Sequence, residues 1–65
     1  MINRNALRAE FARNGKTQKE VAKMIGVSEK TFVTRMKEGW FRTDEVEIMV
    51  RELGIQNIVE VFFPS

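Results

Sequence analysis

Four side chains between residues 30 and 37 share one face of a predicted helix and carry groups suited to molecular recognition. They are two lysines, a threonine and a valine: Lys30, Val33, Thr34 and Lys37. At about 100° per residue they lie opposite Phe32, which should point to the core. The lysines can donate to guanine or phosphate, the threonine can bond a base edge, and the valine can pack on a thymine methyl. This set suits binding to a macromolecule, although it lacks the amide that would contact adenine in bidentate fashion.

Catalytic and metal-binding chemistry is poorly represented in this sequence. The chain contains no histidine and no cysteine. An enzyme would therefore depend on carboxylates, lysines or hydroxyls, and no pair of these occupies an apolar setting that would shift a pKa. The acids Asp44, Glu45 and Glu47 open a predicted helix, and the helix dipole explains them better than a metal ion does. We expect no catalytic site, metal or cofactor, and hence no enzyme.

A capping box at Thr17 and Glu20 predicts the start of the helix that comes before this face. The core side of that helix holds three apolar residues at helical spacing: Val21, Ala22 and Ile25. Gly26 readily adopts the positive φ of a helix end, and Ser28 can cap a new helix over Glu29–Lys37. Because only three residues separate the two helices, they should cross steeply, with the small alanine where they meet.

Two stretches within this unit carry a known pattern. The sequence TQKEVA at 17–22 matches T-Q-x-x-[LV]-A, and GVSEKTF at 26–32 matches G-[VI]-S-x-x-T-[LIF]. Both resemble the DNA-binding domains of the Cro and C1 repressor family, also called the lambda-repressor-like or XRE group. The resemblance implies a helix-turn-helix that binds a double-stranded DNA operator, with the second helix in the major groove.

The resemblance also implies roles for individual residues. Members of the family commonly carry a glutamine at the position of Gln18, where it touches the DNA backbone or supports the recognition helix. The residues expected near phosphates are Gln18, Lys19, Ser28 and Thr31, and those expected at base edges are Lys30, Val33, Thr34 and Lys37. Arg35 stands where the family usually has an aliphatic residue, so Met36 should take over that packing. A short Cro-type chain of this kind implies a lytic-side repressor of a temperate phage.

The remaining segments predict three further helices, which makes the chain an all-α bundle of about five short helices in one domain. The first should cover 4–13, with Asn3 or Asn5 as its cap. The fourth should begin after Thr43, whose hydroxyl can cap it, and its buried stripe should comprise Val46, Met49, Val50 and Leu53. The ending from 55 onward is apolar, and its VEVFF segment also has good β propensity. We favour a short helix there, since the preceding elements are helical.

Four apolar side chains are candidates for contact with a partner: Trp40, Ile48, Val59 and Phe63. Ile48 should lie on the far side of the fourth helix, and Val59 with Phe63 should form a second apolar face on the last helix. Trp40 could stack on a partner or lie in the core or at its rim, whereas Phe41 should fill the gap before the fourth helix. A homodimer would use such a face to engage two half-sites. Alternatively, the chain is an antirepressor that binds a phage repressor protein through its helix-turn-helix surface.

The distribution of charge fits either partner. The net charge is +2, but residues 1–42 hold ten cations and four acids, and residues 43–65 hold one cation and five acids. A basic N-terminal part could face phosphates, although uneven solvated surfaces explain the asymmetry equally well. No apolar run reaches the length of a membrane span, and the N-terminus has no secretory signal. We therefore expect a cytoplasmic protein of a bacterial host cell.

Overall fold

Five α-helices follow one another along the chain, as the sequence predicts. The structure is a computed structural model and describes all residues from 1 to 65. The helices are α1 (Arg4–Arg13), α2 (Gln18–Ile25), α3 (Glu29–Glu38), α4 (Thr43–Leu53) and α5 (Ile58–Phe62). The VEVFF segment is thus helical up to Phe62, with Phe63 as the C-cap, rather than a strand. None of these helices combines the length and the apolar character that crossing a membrane requires.

Side chains cap the first three helices at the predicted positions. Asn3, rather than Asn5, caps α1, because its Oδ1 accepts the Ala6 N–H at 3.1 Å. At the start of α2 the Thr17 hydroxyl accepts the Glu20 N–H at 3.1 Å, and the Glu20 carboxylate accepts the Thr17 N–H at 2.9 Å. Both halves of the capping box are therefore made, and two N–H groups that the helix itself leaves unsatisfied acquire partners.

The prediction that the Thr43 hydroxyl caps α4 is wrong. Thr43 is the first helical residue, the N-cap position belongs to Arg42, and no side chain of the cap residue bonds the helix end. Instead the carboxylate of Glu45 accepts the Arg42 N–H at 2.9 Å. A carboxylate three residues after the N-cap can accept this backbone N–H whatever the side chain of the N-cap residue is, so Glu45 anchors the start of α4.

One hydrophobic core of 13 buried residues unites the helices. Phe32 lies inside it, fully buried, with its ring in edge-to-face contact with Phe11 at 5.7 Å and with Phe41 at 5.3 Å between centroids. Such pairs add about 0.5–1.5 kcal/mol each beyond the area they bury. Met36 is also buried, as expected from its role in place of Arg35. The prediction that Phe41 fills the space between α3 and α4 is confirmed.

Helix α4 buries a wider arc than its predicted stripe. Met49 and Leu53 are fully buried, while Val46 and Val50 are only partly buried. Ile48 is also half-buried and packs against the core, so the prediction that it lies on the far side of α4 is wrong. Residues on both sides of the Met49 direction contact the interior, which leaves little of Ile48 for a partner.

The C-terminal ends of α1 and α4 are joined by side-chain hydrogen bonds. The Arg13 guanidinium and the Asn14 amide both donate to the carbonyl of Leu53, at 2.9 and 3.0 Å. The last carbonyls of a helix have no partner within the helix and carry partial negative charge. The cation and the amide therefore stabilise the end of α4 and fix it against α1.

Candidate nucleic-acid interface

The turn between α2 and α3 sets which face of α3 is exposed. Gly26 ends α2 with φ of +82°, a conformation that side chains with a Cβ rarely adopt. Ala22 is 1% exposed, and α2 packs against both α3 and α4. Phe32 and Met36 turn inward from α3. The opposite face of α3 is therefore the one presented to solvent.

All four predicted base-contacting side chains lie on that face and are exposed: Lys30, Val33, Thr34 and Lys37. We call them the reading stripe. Val33 is 52% exposed. The Thr34 hydroxyl donates to the Lys30 carbonyl at 3.1 Å, so it offers lone pairs rather than its hydrogen to a ligand. Neither lysine of the stripe forms an ion pair.

The two predicted phosphate contacts at the start of α3 differ in whether their hydroxyl hydrogen is available to a ligand. The Ser28 oxygen accepts the Thr31 N–H at 3.1 Å, and its hydrogen is donated to the Thr31 hydroxyl at 3.0 Å. Ser28 thus serves mainly as the N-cap of α3. Thr31, which accepts from Ser28, keeps its own hydrogen for a further acceptor. Of this pair, Thr31 is the better placed to bind phosphate.

The predicted phosphate contacts at the start of α2 lie nearer to α1. Gln18 is half-buried, and its side chain has no hydrogen-bond partner among the protein groups. It lines a groove together with residues of α1 and α3. Lys19 is exposed and unpaired, and it projects into solvent beside the capped end of α2. Both side chains are thus available for a ligand.

The cations fall into two groups. Four of the eleven form ion pairs: Arg13, Arg35, Arg42 and Arg51. The remaining seven form none, and all lie on α1, α2 and α3 or just before α2: Arg4, Arg8, Lys16, Lys19, Lys23, Lys30 and Lys37. Cations without an ion pair are therefore concentrated in the part of the chain that contains the reading stripe.

A buried ion pair joins α3 to α4, and it was not predicted from the sequence. Arg35 and Glu45 form it with side chains only 15% and 5% exposed. The Arg35 guanidinium also lies 4.6 Å from the centre of the Trp40 ring, and the Trp40 indole N–H donates to Glu38 at 3.2 Å. An arginine where the helix needs an apolar residue, followed ten residues later by an acid in a first helical turn, is the signal that could have revealed it.

The predicted partner contacts are only partly brought together. Trp40 is 47% exposed and Phe63 is 66% exposed, and both line one apolar groove with Met1. Val59 is 69% exposed but lies outside that groove, one turn before Phe63 on α5. Ile48 is not among the groove residues. Of the four predicted partner contacts, Trp40, Val59 and Phe63 are therefore exposed and Ile48 is not.

No group of three or more acids, histidines or cysteines is placed to hold a metal ion. Comparison with protein-family models, with curated proteins and with solved structures finds no match to this chain.

Proposed function

We propose that this chain is a sequence-specific DNA-binding transcriptional regulator of the Cro/C1 type. The observation that carries the proposal is the reading stripe: four exposed side chains on α3, two of them unpaired lysines, opposite the buried Phe32 and Met36. A helix that presents such a face beyond a three-residue turn can enter the major groove of duplex DNA.

The individual contacts divide into two kinds. Lys30 and Lys37 donate to guanine acceptors or phosphates, and Val33 packs on a thymine methyl. Thr34 accepts from a base-edge donor, because its hydrogen is bonded to the Lys30 carbonyl. Phosphate contacts come from Gln18, Lys19 and Thr31, with Ser28 holding the end of α3 in place. Contacts to phosphate set the register of the protein on the duplex, and contacts to base edges set its preference.

The biological setting follows from the resemblance alone. Some Cro-type regulators act as lytic-side repressors of temperate phages, and we propose the same role here, in the cytoplasm of a bacterial host. Operators of that type contain two half-sites about one helical turn apart, which a symmetric dimer engages. Val59 and Phe63 supply exposed apolar surface for such a dimer.

The test is a mobility shift with a random-sequence duplex pool, followed by selection of the tightest-binding duplex. Affinity should fall steeply with salt, with a log–log slope of about −3.6 for every four phosphates neutralised. The double variant Lys30→Gln/Lys37→Gln should lose about tenfold or more in affinity, because each good base contact is worth about 1–3 kcal/mol. Binding that hardly responds to salt, or a duplex never selected over the pool, would contradict the proposal.

A charge-matched control separates the stripe from net charge. Arg42→Gln/Arg51→Gln also removes two positive charges, but from side chains 65% and 69% exposed that already have acidic partners. Its effect on affinity should be several-fold smaller than that of the stripe variant. Equal losses in both variants would show that only overall charge matters.

A second candidate function is that of an antirepressor that binds a partner repressor protein. The apolar groove formed by Trp40, Phe63 and Met1 favours it, because solvent-exposed aromatic side chains that share one groove are typical of protein-binding surfaces. The repressor encoded by the neighbouring gene, once purified, should then bind the wild-type protein and bind Trp40→Ala/Phe63→Ser more weakly. The wild-type protein alone should shift no DNA duplex. A duplex shift by the protein alone, without binding to that regulator, would reject this alternative.

A further inference from the structure

A groove on the α1 side of the reading stripe gathers three of the unpaired cations. Six residues from three helices line it: Arg4, Arg8, Gln18, Val33, Met36 and Lys37. Three are cations, one is an amide and none is an acid. We call this the α1–α3 groove. It belongs to the surface that the proposed function uses, but its two arginines come from a helix that the motif does not include.

The sequence explains why these arginines face the groove without counter-charge. Arg4 and Arg8 are one helical turn apart and flank the buried Leu7, so both stand beside the part of α1 that packs inward. The single acid of α1, Glu10, already pairs with Arg13. Neither Arg4 nor Arg8 forms an ion pair or a side-chain hydrogen bond.

We propose that the α1–α3 groove binds a backbone phosphate of the duplex, with Arg4 and Arg8 as its charged donors. This inference rests on the proposed DNA-binding function. An arginine presents a planar fork of donors that can grip phosphate oxygens in bidentate fashion. The free amide of Gln18 lies on the same groove wall and supplies a further donor. Helix α1 is then part of the interface and fixes how α3 sits in the major groove.

The position of the groove favours duplex phosphate over other anions. Val33 and Lys37 belong both to the groove and to the reading stripe, so the two surfaces are continuous. A duplex whose base edges meet Val33 must carry its sugar-phosphate chain past the neighbouring groove. The arginines are exposed and the groove is open, which suits a polymer passing over it rather than an enclosed small anion.

The test compares Arg4→Gln/Arg8→Gln with the charge-matched control Arg42→Gln/Arg51→Gln on the selected duplex and on the random pool. The groove variant should lose about tenfold or more in affinity on both, because phosphate contacts carry no sequence information. Its log–log salt slope should become shallower by about 1 to 2. The control should change both quantities much less. Circular dichroism melts establish that both variants fold.

Phosphate ethylation interference on the selected duplex gives an independent result. At least one phosphate whose ethylation weakens binding of the wild type should lose that effect in the groove variant, while the other positions remain. If the wild type binds but every position persists, or if the groove variant behaves like the control, the groove assignment is wrong and the DNA-binding function stands. If the wild type binds no duplex at all, both proposals fail.

Discussion

The cations around α4 form ion pairs, whereas the cations around the reading stripe form none. Every paired arginine either belongs to α4, lies at its N-cap or reaches it from another helix: Arg51, Arg42, Arg13 and Arg35. Every cation on α2, and each of those on the outward face of α3, has no acidic partner. The cations that serve the fold around α4 are thus all arginines, whereas those on α2 and on the outward face of α3 are lysines without an ion pair.

The difference extends to hydrogen bonding. The starts of α2 and α3 are closed by bonds between residues only three apart, through Thr17 with Glu20 and through Ser28 with Thr31. The start of α4 has a local bond of the same kind, from the Arg42 N–H to Glu45, but its two ends are also held by Arg35 and Arg13 from other helices. Local bonds therefore cap α2 and α3 without using their lysines, while α4 is also fixed by tertiary contacts.

The largest expected effect is on the buried pair at α4. Glu45→Ala should destabilise the protein by about 3–5 kcal/mol, since it leaves the Arg35 guanidinium buried without a counter-charge. It also removes the acceptor of the Arg42 N–H. Urea unfolding followed by circular dichroism measures the change, and the single tryptophan, which stacks on Arg35, gives a local fluorescence signal.

Two further variants keep this prediction testable if Glu45→Ala fails to fold. Asp44→Ala removes an acid from an exposed pair and should cost less than about 1 kcal/mol. The double variant Arg35→Met/Glu45→Leu replaces the buried pair with apolar groups and should come close to the stability of the wild type. Similar losses for Glu45→Ala and Asp44→Ala would erase the distinction between buried and exposed pairs.

The sequence predicted the helices well because their ends carry local signals. Capping at Thr17 and Ser28 and the stop at Gly26 depend on residues within one turn, so one sequence suffices to find them. The wrong cap at Thr43 is a local error of one residue, because the carboxylate of Glu45 accepts the Arg42 N–H and places the N-cap at Arg42. The misplaced Ile48 instead depends on the breadth of the core against α4, which has no local pattern.

The candidate site was predictable to a similar extent and for the same reason. The reading stripe follows from the 3.6-residue period once the direction of Phe32 is known. The α1–α3 groove does not, because it depends on how α1 lies against α3, which no short pattern encodes. The buried state of Arg35 and Glu45 was also hidden, since each residue alone resembles an ordinary helix-surface charge.

Capping offers a second and smaller comparison between the two regions. Thr17→Ala should cost about 1 kcal/mol of stability, because it removes the acceptor of the Glu20 N–H at the start of α2. The matched change Thr43→Ala removes a hydroxyl that caps nothing and should stay within about 0.5 kcal/mol of the wild type. Chemical denaturation measures both, and a larger cost at Thr43 would restore it as the cap of α4.

The smallest expected effect concerns acid stability at the start of α2. The Thr17 backbone N–H, helped by the Thr17 hydroxyl and the charge of Lys16, lowers the pKa of the Glu20 carboxyl in the folded protein. A carboxyl whose folded pKa lies below its unfolded pKa stabilises the protein at neutral pH. That contribution is lost as the pH falls through the folded pKa. Glu20→Gln keeps an acceptor for the Thr17 N–H but cannot titrate, so it lacks this contribution at every pH.

The melting temperatures of the wild type and Glu20→Gln should therefore differ slightly at neutral pH and converge as the pH falls from about 5 to about 2. Thermal melts at several pH values measure the convergence, and low salt preserves the share due to Lys16. A difference that stays constant with pH would mean that the hydrogen bond, rather than the charge, accounts for the role of Glu20. The hydrogen bonds between Thr17 and Glu20 would then account for the cap of α2, and the charge of Glu20 would add no electrostatic stability.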